Sequence, residues 1–254
     1  NGAAKNKIGG TVYTDSATGQ TNNPTGTKGQ VAEVYVVPPQ GNLISGNRSD
    51  GVLISSRANK NVFNGNFIGT NAAGTGALAN AGNGMRVINA DGTVLRGCTV
   101  TDNPFVYYNV LSGNRKNGLH VTDSDNTVVQ ANFFGIGMDN TTTVANRGNG
   151  MLFDGNSKKP HVGDVIPLGN VAEGNRQNGM AAKGRDTGSI TFNTFGGLLA
   201  FKGAAPNRQN GLLVTATGGN NLARTNVFSG NLGNGIEISG SARGMTVDPN
   251  LVGL

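Results

Sequence analysis

The amino-acid sequence predicts an all-β chain folded as a right-handed parallel β-helix, a single-stranded solenoid of about seven coils. An Asn-Gly or Asp-Gly pair opens an apolar triplet seven times along the 254 residues, and a second motif alternates with it. Self-similarity at a fixed period of about 20 to 50 residues is the signature of a repeat architecture. The composition agrees, because 42 residues are Gly and charged residues make up only 13%, roughly half of the usual share of about 25%.

The first motif recurs at spacings of 24 to 34 residues. Its glycines are Gly51, Gly84, Gly118, Gly150, Gly179, Gly211 and Gly235. Each is followed by a short triplet, such as Leu119-His120-Val121, of the size and pattern of a strand. If successive coils stack about 4.8 Å apart, the first and third residues of each triplet form columns inside the solenoid. The middle residue of each triplet then faces outward.

The second motif reads N-x-x-x-G-N, and alternate units insert a longer arm before the next triplet. The copies span Asn42–Asn47, Asn61–Asn66, Asn109–Asn114, Asn170–Asn175 and Asn226–Asn231, with a decayed copy that ends at Asn132. The arm is clearest over residues 65–84. We expect the turn asparagines to adopt the left-handed conformation and to stack their amides from coil to coil. The neighbouring glycines are expected to accept positive φ.

We predict a single β-helix domain over residues 1–254, as part of a longer chain, with insertions at residues 11–40 and 99–108. Solenoids require polar caps over their terminal coils, and neither end of the sequence resembles one. Other copies or neighbouring domains are therefore the expected partners, stacked on the uncapped ends.

The charge of the chain narrows the choice of further partners. A net charge of +6 favours acidic ligands, such as an anionic polysaccharide. The basic residues are scattered along the sequence apart from Lys158-Lys159, and no basic stripe is interleaved with aromatic residues. We therefore expect no nucleic-acid partner. No apolar run approaches the length of a membrane-spanning helix, and no cofactor-binding fingerprint is present.

Several segments together resemble a known repeat. They are I-G-G, N-L-I-S-G-N, D-G-V-L-I-S, N-G-N-F-I-G-T-N-A-A-G-T-G-A-L-A-N and G-N-G-M-R-V. The chain resembles the right-handed β-helix repeat of very large, mostly bacterial, secreted or surface proteins. The resemblance covers nearly the whole chain and is strongest over residues 41–90. It implies a parallel β-helix and an extracellular or surface-associated location, and it implies no agreed catalytic residues.

The outward triplet positions hold one polar group of interest. These positions are Leu53, Arg86, His120, Leu152, Ala181, Leu213 and Glu237. Arg86 and His120, with Asp123 and Asp125 just beyond, are candidates for a catalytic or sugar-binding patch. A polysaccharide lyase or epimerase needs a base and a cation near the sugar carboxylate. The alternative is a solvated face with a turn at Asp123–Asn126. That turn could also seat Ca²⁺, although it lacks the spacing and the glycine of a calcium loop.

The remaining candidates are aromatic residues and glycosylation acceptors. Phe105, Tyr107 and Tyr108 form the densest aromatic group, and such rings stack on sugars or on protein partners. The alternative is an insertion that packs down on the side of the helix. Asn47 and Asn140 open N-x-S/T sequons and are candidates for N-glycosylation.

Two functional hypotheses follow from the sequence. The first is a non-enzymatic structural or adhesive module of a secreted or surface-displayed assembly, such as a fibre, a stalk or a virion component. The alternative is a lyase, hydrolase, epimerase or carbohydrate-binding module that acts on an acidic glycan.

Overall fold

The structure, a computed structural model, describes residues 7–9, 41–100, 103–165, 168–196, 205–219 and 221–253. Residues 7–9, 98–100 and 103–107 are described by their backbone alone. The described residues form 25 short strands and no helix, so none of them lies in a helix that could cross a membrane. The predicted insertion at residues 11–40 lies outside the described residues.

Three parallel sheets run the length of the structure. Sheet 1 contains, in spatial order, β1 (Lys7–Gly9), β4 (Val62–Asn64), β7 (Val94–Arg96), β12 (Val128–Gln130), β15 (His161–Gly163), β18 (Ser189–Thr191), β21 (Asn221–Arg224) and β24 (Met245–Val247). Sheet 2 contains β2 (Leu43–Ile44), β5 (Phe67–Ile68), β10 (Asn109–Leu111), β13 (Asn132–Phe134), β16 (Val171–Ala172), β19 (Thr194–Phe195), β22 (Val227–Phe228) and β25 (Leu251–Val252). Sheet 3 contains β3 (Val52–Ile54), β6 (Met85–Ile88), β11 (Leu119–Thr122), β14 (Met151–Asp154), β17 (Met180–Ala182), β20 (Leu212–Val214) and β23 (Ile236–Ile238).

Each winding of the chain passes once through all three sheets, and equivalent residues of successive windings pair in register. His120, for example, pairs with Arg86 on one side and with Leu152 on the other. The predicted all-β, right-handed parallel β-helix of about seven coils is confirmed, and the seven triplets are the seven strands of sheet 3.

The interior is a continuous apolar core built from columns of equivalent residues. On sheet 3 the inward column of Met85, Leu119, Met151, Met180 and Leu212 is fully buried. On sheet 2 the rings of Phe195 and Phe228 stack with centroids 5.0 Å apart. Successive windings thus bury the same face of the same strand, which neither winding could bury alone.

Three ladders of side-chain amides line the corners between the sheets. Ladder 1 is Asn42, Asn66, Asn109, Asn132, Asn170, Asn193, Asn226 and Asn250. Ladder 2 is Asn47, Asn80, Asn114, Asn146, Asn175, Asn207 and Asn231. Ladder 3 is Asp50, Asn83, Asn117, Asn149, Asn178, Asn210 and Asn234. The predicted amide stacking is present, but no ladder asparagine adopts positive φ.

The expected positive φ is present at the glycine of the N-x-x-x-G-N motif, as at Gly46 and Gly113. The glycines that open the triplets do not have positive φ, so they are required for a different reason. A methyl group on Gly118 would lie 2.7 Å from the carbonyl oxygen of Gly150 and 2.9 Å from the ring of Phe134. Backbone therefore approaches backbone too closely at this column for any side chain to fit.

The N-x-x-x-G-N motif marks two different corners of the winding. The copy at Asn61–Asn66 forms a strand of sheet 1, and so does the decayed copy that ends at Asn132, whereas the other copies lie on sheet 2. Two strands of sheet 2, β5 and β13, are each followed by a long arm, and these arms close at the bridges Thr70↔Ala77 and Ile136↔Thr143. The arms pack on the outer face of sheet 2 around a second apolar cluster that includes Phe67, Val110 and Phe133.

The predicted insertion at residues 99–108 coincides with an antiparallel hairpin. Its strands are β8 (Cys98–Val100) and β9 (Asn103–Tyr107), which pair outside the three parallel sheets. The chain leaves the winding after sheet 1 to form this hairpin and rejoins the winding in sheet 2 at Asn109. The windings therefore stack in the same way on both sides of the hairpin.

Candidate functional site

The outer face of sheet 3 carries a group of polar side chains that contact one another. His120 occupies an outward position in β11, and Thr122 lies two residues further on the same face of the strand. Asp154 of β14 pairs with Thr122 in the register of the sheet. Arg86 of β6 pairs with His120 on the opposite side. Three adjacent windings therefore supply one group of side chains.

The imidazole of His120 is held by a carboxylate. His120 Nε2 lies 2.9 Å from Asp154 Oδ2, and the Thr122 hydroxyl donates to Asp154 Oδ1. The His120 side chain is 15% exposed and that of Asp154 is 33% exposed. If Nε2 carries the proton that is donated to Asp154, Nδ1 is the nitrogen that can accept another.

The charges around Asp154 favour its ionised form. Burial acts to raise the pKa of Asp154, but hydrogen bonds from His120 and Thr122 outweigh it, together with the charges of His120 and Arg86. The pKa of Asp154 therefore lies below its ordinary value. Arg86 brings a further feature, because its Nε atom is buried and has no hydrogen-bond partner among the described residues.

This arrangement has the parts needed to remove a proton next to a carboxylate. Asp154 orients the imidazole, Nδ1 of His120 is the potential base, and Arg86 supplies a cation that can neutralise a sugar carboxylate. The same group can also simply bind a carboxylate, because a guanidinium offers several donors to it.

Asp123 and Asp125 do not join this group. Asp123 Oδ1 accepts the backbone N–H of Asn156 at 2.8 Å, and Asp125 Oδ1 accepts that of Lys158 at 3.0 Å. Both carboxylates therefore link neighbouring windings at the corner after sheet 3. Asp154 was missed from the sequence, although aligning the four residues M-L-F-D with L-H-V-T would have placed it opposite Thr122.

The described residues contain no group of three or more His, Cys, Asp or Glu side chains that could hold a metal ion. For the Ca²⁺ considered at Asp123 and Asp125, one oxygen of each carboxylate is already engaged by a backbone N–H. Those oxygens would have to exchange a hydrogen bond for a metal bond.

Of the three aromatic candidates, Tyr108 is the one whose side chain is described. Its ring stacks on Phe133 with centroids 4.1 Å apart, and burial raises its pKa. Tyr108 also lines an open groove of about 540 Å³ over the outer face of sheet 2, together with Val171 and Val227. Phe105 and Tyr107 belong to β9, and their side chains lie outside the described part of the structure.

The two glycosylation candidates differ in their surroundings. Asn47 is exposed, and its amide donates to Asn80 at 2.8 Å as the first rung of ladder 2. A glycan on Asn47 would have to share that amide. Asn140 is half-buried, has φ of 53° and lies in the turn of a long arm.

The fold and this site together define a right-handed parallel β-helix with a polar group on its third sheet. No family model matches the chain, and no curated protein matches it. Among solved structures, the chain is similar to a double mutant of the periplasmic alginate epimerase AlgG, with 12% sequence identity and a TM-score of 0.37. The similarity covers 78% of this chain and 55% of the other, so the chain spans about half the length of that protein.

Proposed function

We propose that the chain is a structural or adhesive β-helical module of a secreted or surface-displayed assembly, which extends by the stacking of windings. The winding of β23, β24 and β25 supports this proposal. Its core positions Ile238, Val247 and Val252 are 47%, 44% and 53% exposed. Their register partners one winding earlier are Val214, Ala223 and Phe228. Those three side chains are at most 1% exposed.

The same winding also presents backbone groups. Each of β23, β24 and β25 is an edge strand of its sheet among the described residues. An exposed edge with apolar side chains is a template for a further strand. A further β-helical winding would pair all three edges at once and continue the three core columns, so it is the occupant that fits this surface.

Self-association of the 254-residue chain tests the proposal. We expect its mean mass in sedimentation velocity and light scattering to rise with concentration, and electron microscopy to show rods. Ile238→Lys with Val252→Lys should abolish the rise, because charges would face the apolar column of the next winding. Val165→Lys is the matched control, since Val165 is 58% exposed along the side of the rod. A native chain that stays monomeric at every concentration would contradict the proposal.

The group on sheet 3 favours a second candidate function, the cleavage or epimerisation of an acidic polysaccharide. His120, oriented by Asp154 and next to Arg86, has the geometry of a base beside a carboxylate-binding cation. In a lyase reaction the C5 proton would pass to His120 and a C4=C5 double bond would form. The C4–O bond would break with its electron pair on the leaving oxygen, which would take a proton from water. In an epimerisation His120 would keep the C5 proton, and a water molecule on the opposite face would protonate C5.

Uronate polymers test this activity directly. We expect new ultraviolet absorbance from the unsaturated product, or a changed C5 configuration by NMR, with and without added Ca²⁺. His120→Gln should reduce the rate by about 100-fold or more, as expected on losing a general base. His161→Gln is the matched control, because His161 also lies near a carboxylate, 3.8 Å from Asp164. An equal effect of both variants, or no product from the native chain, would exclude the activity.

A further inference from the structure

A column of arginines runs along the corner between sheet 2 and sheet 3. The equivalent positions of seven windings are Arg48, Ala81, Arg115, Arg147, Arg176, Arg208 and Leu232. Backbone hydrogen bonds stack these positions, because Arg147 N donates to Asn114 O and Arg176 N donates to Asn146 O. Four consecutive windings therefore place an arginine at the same point of the rod.

The column is held between two amide ladders. Each arginine directly follows a member of ladder 2 and precedes a member of ladder 3 by two residues. Around Arg147, for example, the amides of Asn146 and Asn175 are joined at 3.0 Å and those of Asn149 and Asn178 at 2.9 Å. The backbone of every arginine is therefore fixed at a spacing of one winding, about 4.8 Å.

The arginines have no acidic partners in the described structure. All five are exposed, and the ion pairs among the described residues involve only His120, His161 and Arg224 as cations. Lys116, next to Arg115, is exposed as well. Like charges at this spacing repel one another, so a bound anion would relieve a repulsion that the chain itself leaves uncompensated.

We propose that Arg115, Arg147, Arg176 and Arg208 bind an acidic polysaccharide that lies along the axis of the rod. A guanidinium matches a carboxylate or a sulfate with two parallel hydrogen bonds. In a polyuronate, each sugar ring carries one carboxylate. One ring with its linking oxygen is comparable in length to the distance between successive windings along the rod, about 4.8 Å. The exposed amides of Gln177 and Gln209, adjacent to the column, can bind sugar hydroxyl groups.

The spacing and the neighbours of the column fit nucleic acid less well. Phosphates follow one another about every 3.4 Å along a strand of double-stranded DNA, so they would lose register with the arginines within a few windings. The residue after each arginine is Lys116, Gly148, Gln177 or Gln209. None of these offers an aromatic face on which a base of a single strand could stack.

This site goes beyond the stacking role and is separate from the group on sheet 3. It lies on the side of the rod and uses none of the exposed core positions of β23, β24 and β25. It also uses neither Arg86 nor His120. Loss of binding in variants of the arginine column would therefore leave the proposed self-association and the proposed reaction each to be decided by their own measurements.

Binding of polygalacturonate fragments of defined length tests the proposal by calorimetry at two salt concentrations. We expect the affinity to rise steeply up to about four sugar units, because each further carboxylate reaches another arginine. Arg147→Gln with Arg176→Gln should weaken binding at least tenfold and reduce the salt dependence by about two counterions. Arg185→Gln with Arg243→Gln removes the same charge from exposed positions elsewhere and should weaken binding less than twofold.

Three outcomes would overturn the proposal. They are no binding by the native chain, equal losses in the two double variants, and tighter binding of DNA than of the polyuronate. The Arg147→Gln, Arg176→Gln double variant should self-associate as the native chain does. That result would show that the double variant is folded.

Discussion

Replacing Asn175 with aspartate is expected to lower the free energy of unfolding by about 3–5 kcal/mol. In the native chain the Asn175 amide nitrogen donates to Asn207 Oδ1 and to the carbonyl oxygen of Phe134, each at 3.0 Å. Its Oδ1 atom accepts from Asn146 at 3.0 Å. Aspartate keeps the acceptor but loses the donor. It places a buried negative charge against two oxygens that each lose one hydrogen bond and keep only a backbone N–H donor.

Urea unfolding followed by circular dichroism measures this loss. Asn71→Asp is the matched control, because Asn71 is exposed and its Oδ1 accepts from the backbone N–H groups of Thr75 and Gly76. Aspartate can accept the same bonds, so the control should change stability by no more than about 0.5 kcal/mol. Equal stabilities of the two variants would show that the ladders contribute little to the fold.

The sequence could predict the stacking because every winding repeats its own pattern, but it could not assign each motif to a corner. Both the strand at Val62 and the strand at Val110 are apolar pairs that end in a turn and a ladder amide. Two corners of the winding have the same local requirement, so one motif serves both sheets. The glycine of each triplet was likewise found by pattern, while its physical reason depends on the next winding 24 to 34 residues away, as for Gly118 and Gly150.

The candidate site was predicted in part for the same reason. Arg86 and His120 are equivalent residues of neighbouring windings, so the repeat itself brings them together. Asp154 lies 34 residues from His120, and its place depends on the exact register of β11 and β14. Asp123 and Asp125 are closer in sequence, but backbone N–H groups of the next winding engage them first.

The arginine column shows how a repeat hides a surface from sequence inspection. Along the chain these arginines are scattered, at intervals of about one winding. Stacking converts that interval into a spacing of about 4.8 Å. Charge patterning in a solenoid therefore has to be read down the columns, across equivalent positions of the windings, as well as along the chain.

Glu173 is expected to make the native chain less stable as the pH rises from about 4.5 to about 8. It occupies a position that other windings fill with a serine, such as Ser112, and it is only 6% exposed. Its carboxyl group makes no hydrogen bond within the described structure, and burial raises its pKa from 4.5 to about 8. Below pH 4.5 the folded and unfolded states are both protonated, so the group has no effect there.

Between these two pH values the unfolded state releases its proton and the folded state retains it, so stability falls as pH rises and the loss is complete above the folded pKa. The difference between the two pKa values corresponds to about 4–5 kcal/mol. The Glu173→Gln variant cannot ionise at this position. Its free energy of unfolding should equal that of the native chain near pH 4 and exceed it at pH 8 by about that amount. Its urea midpoint should therefore change less between pH 4 and pH 8 than that of the native chain. Glu237→Gln, which removes a carboxylate that accepts from Asn210 at 2.8 Å, should leave the slope in place. Parallel pH curves for the native chain and Glu173→Gln would mean that the Glu173 carboxyl reaches water or a cation in solution.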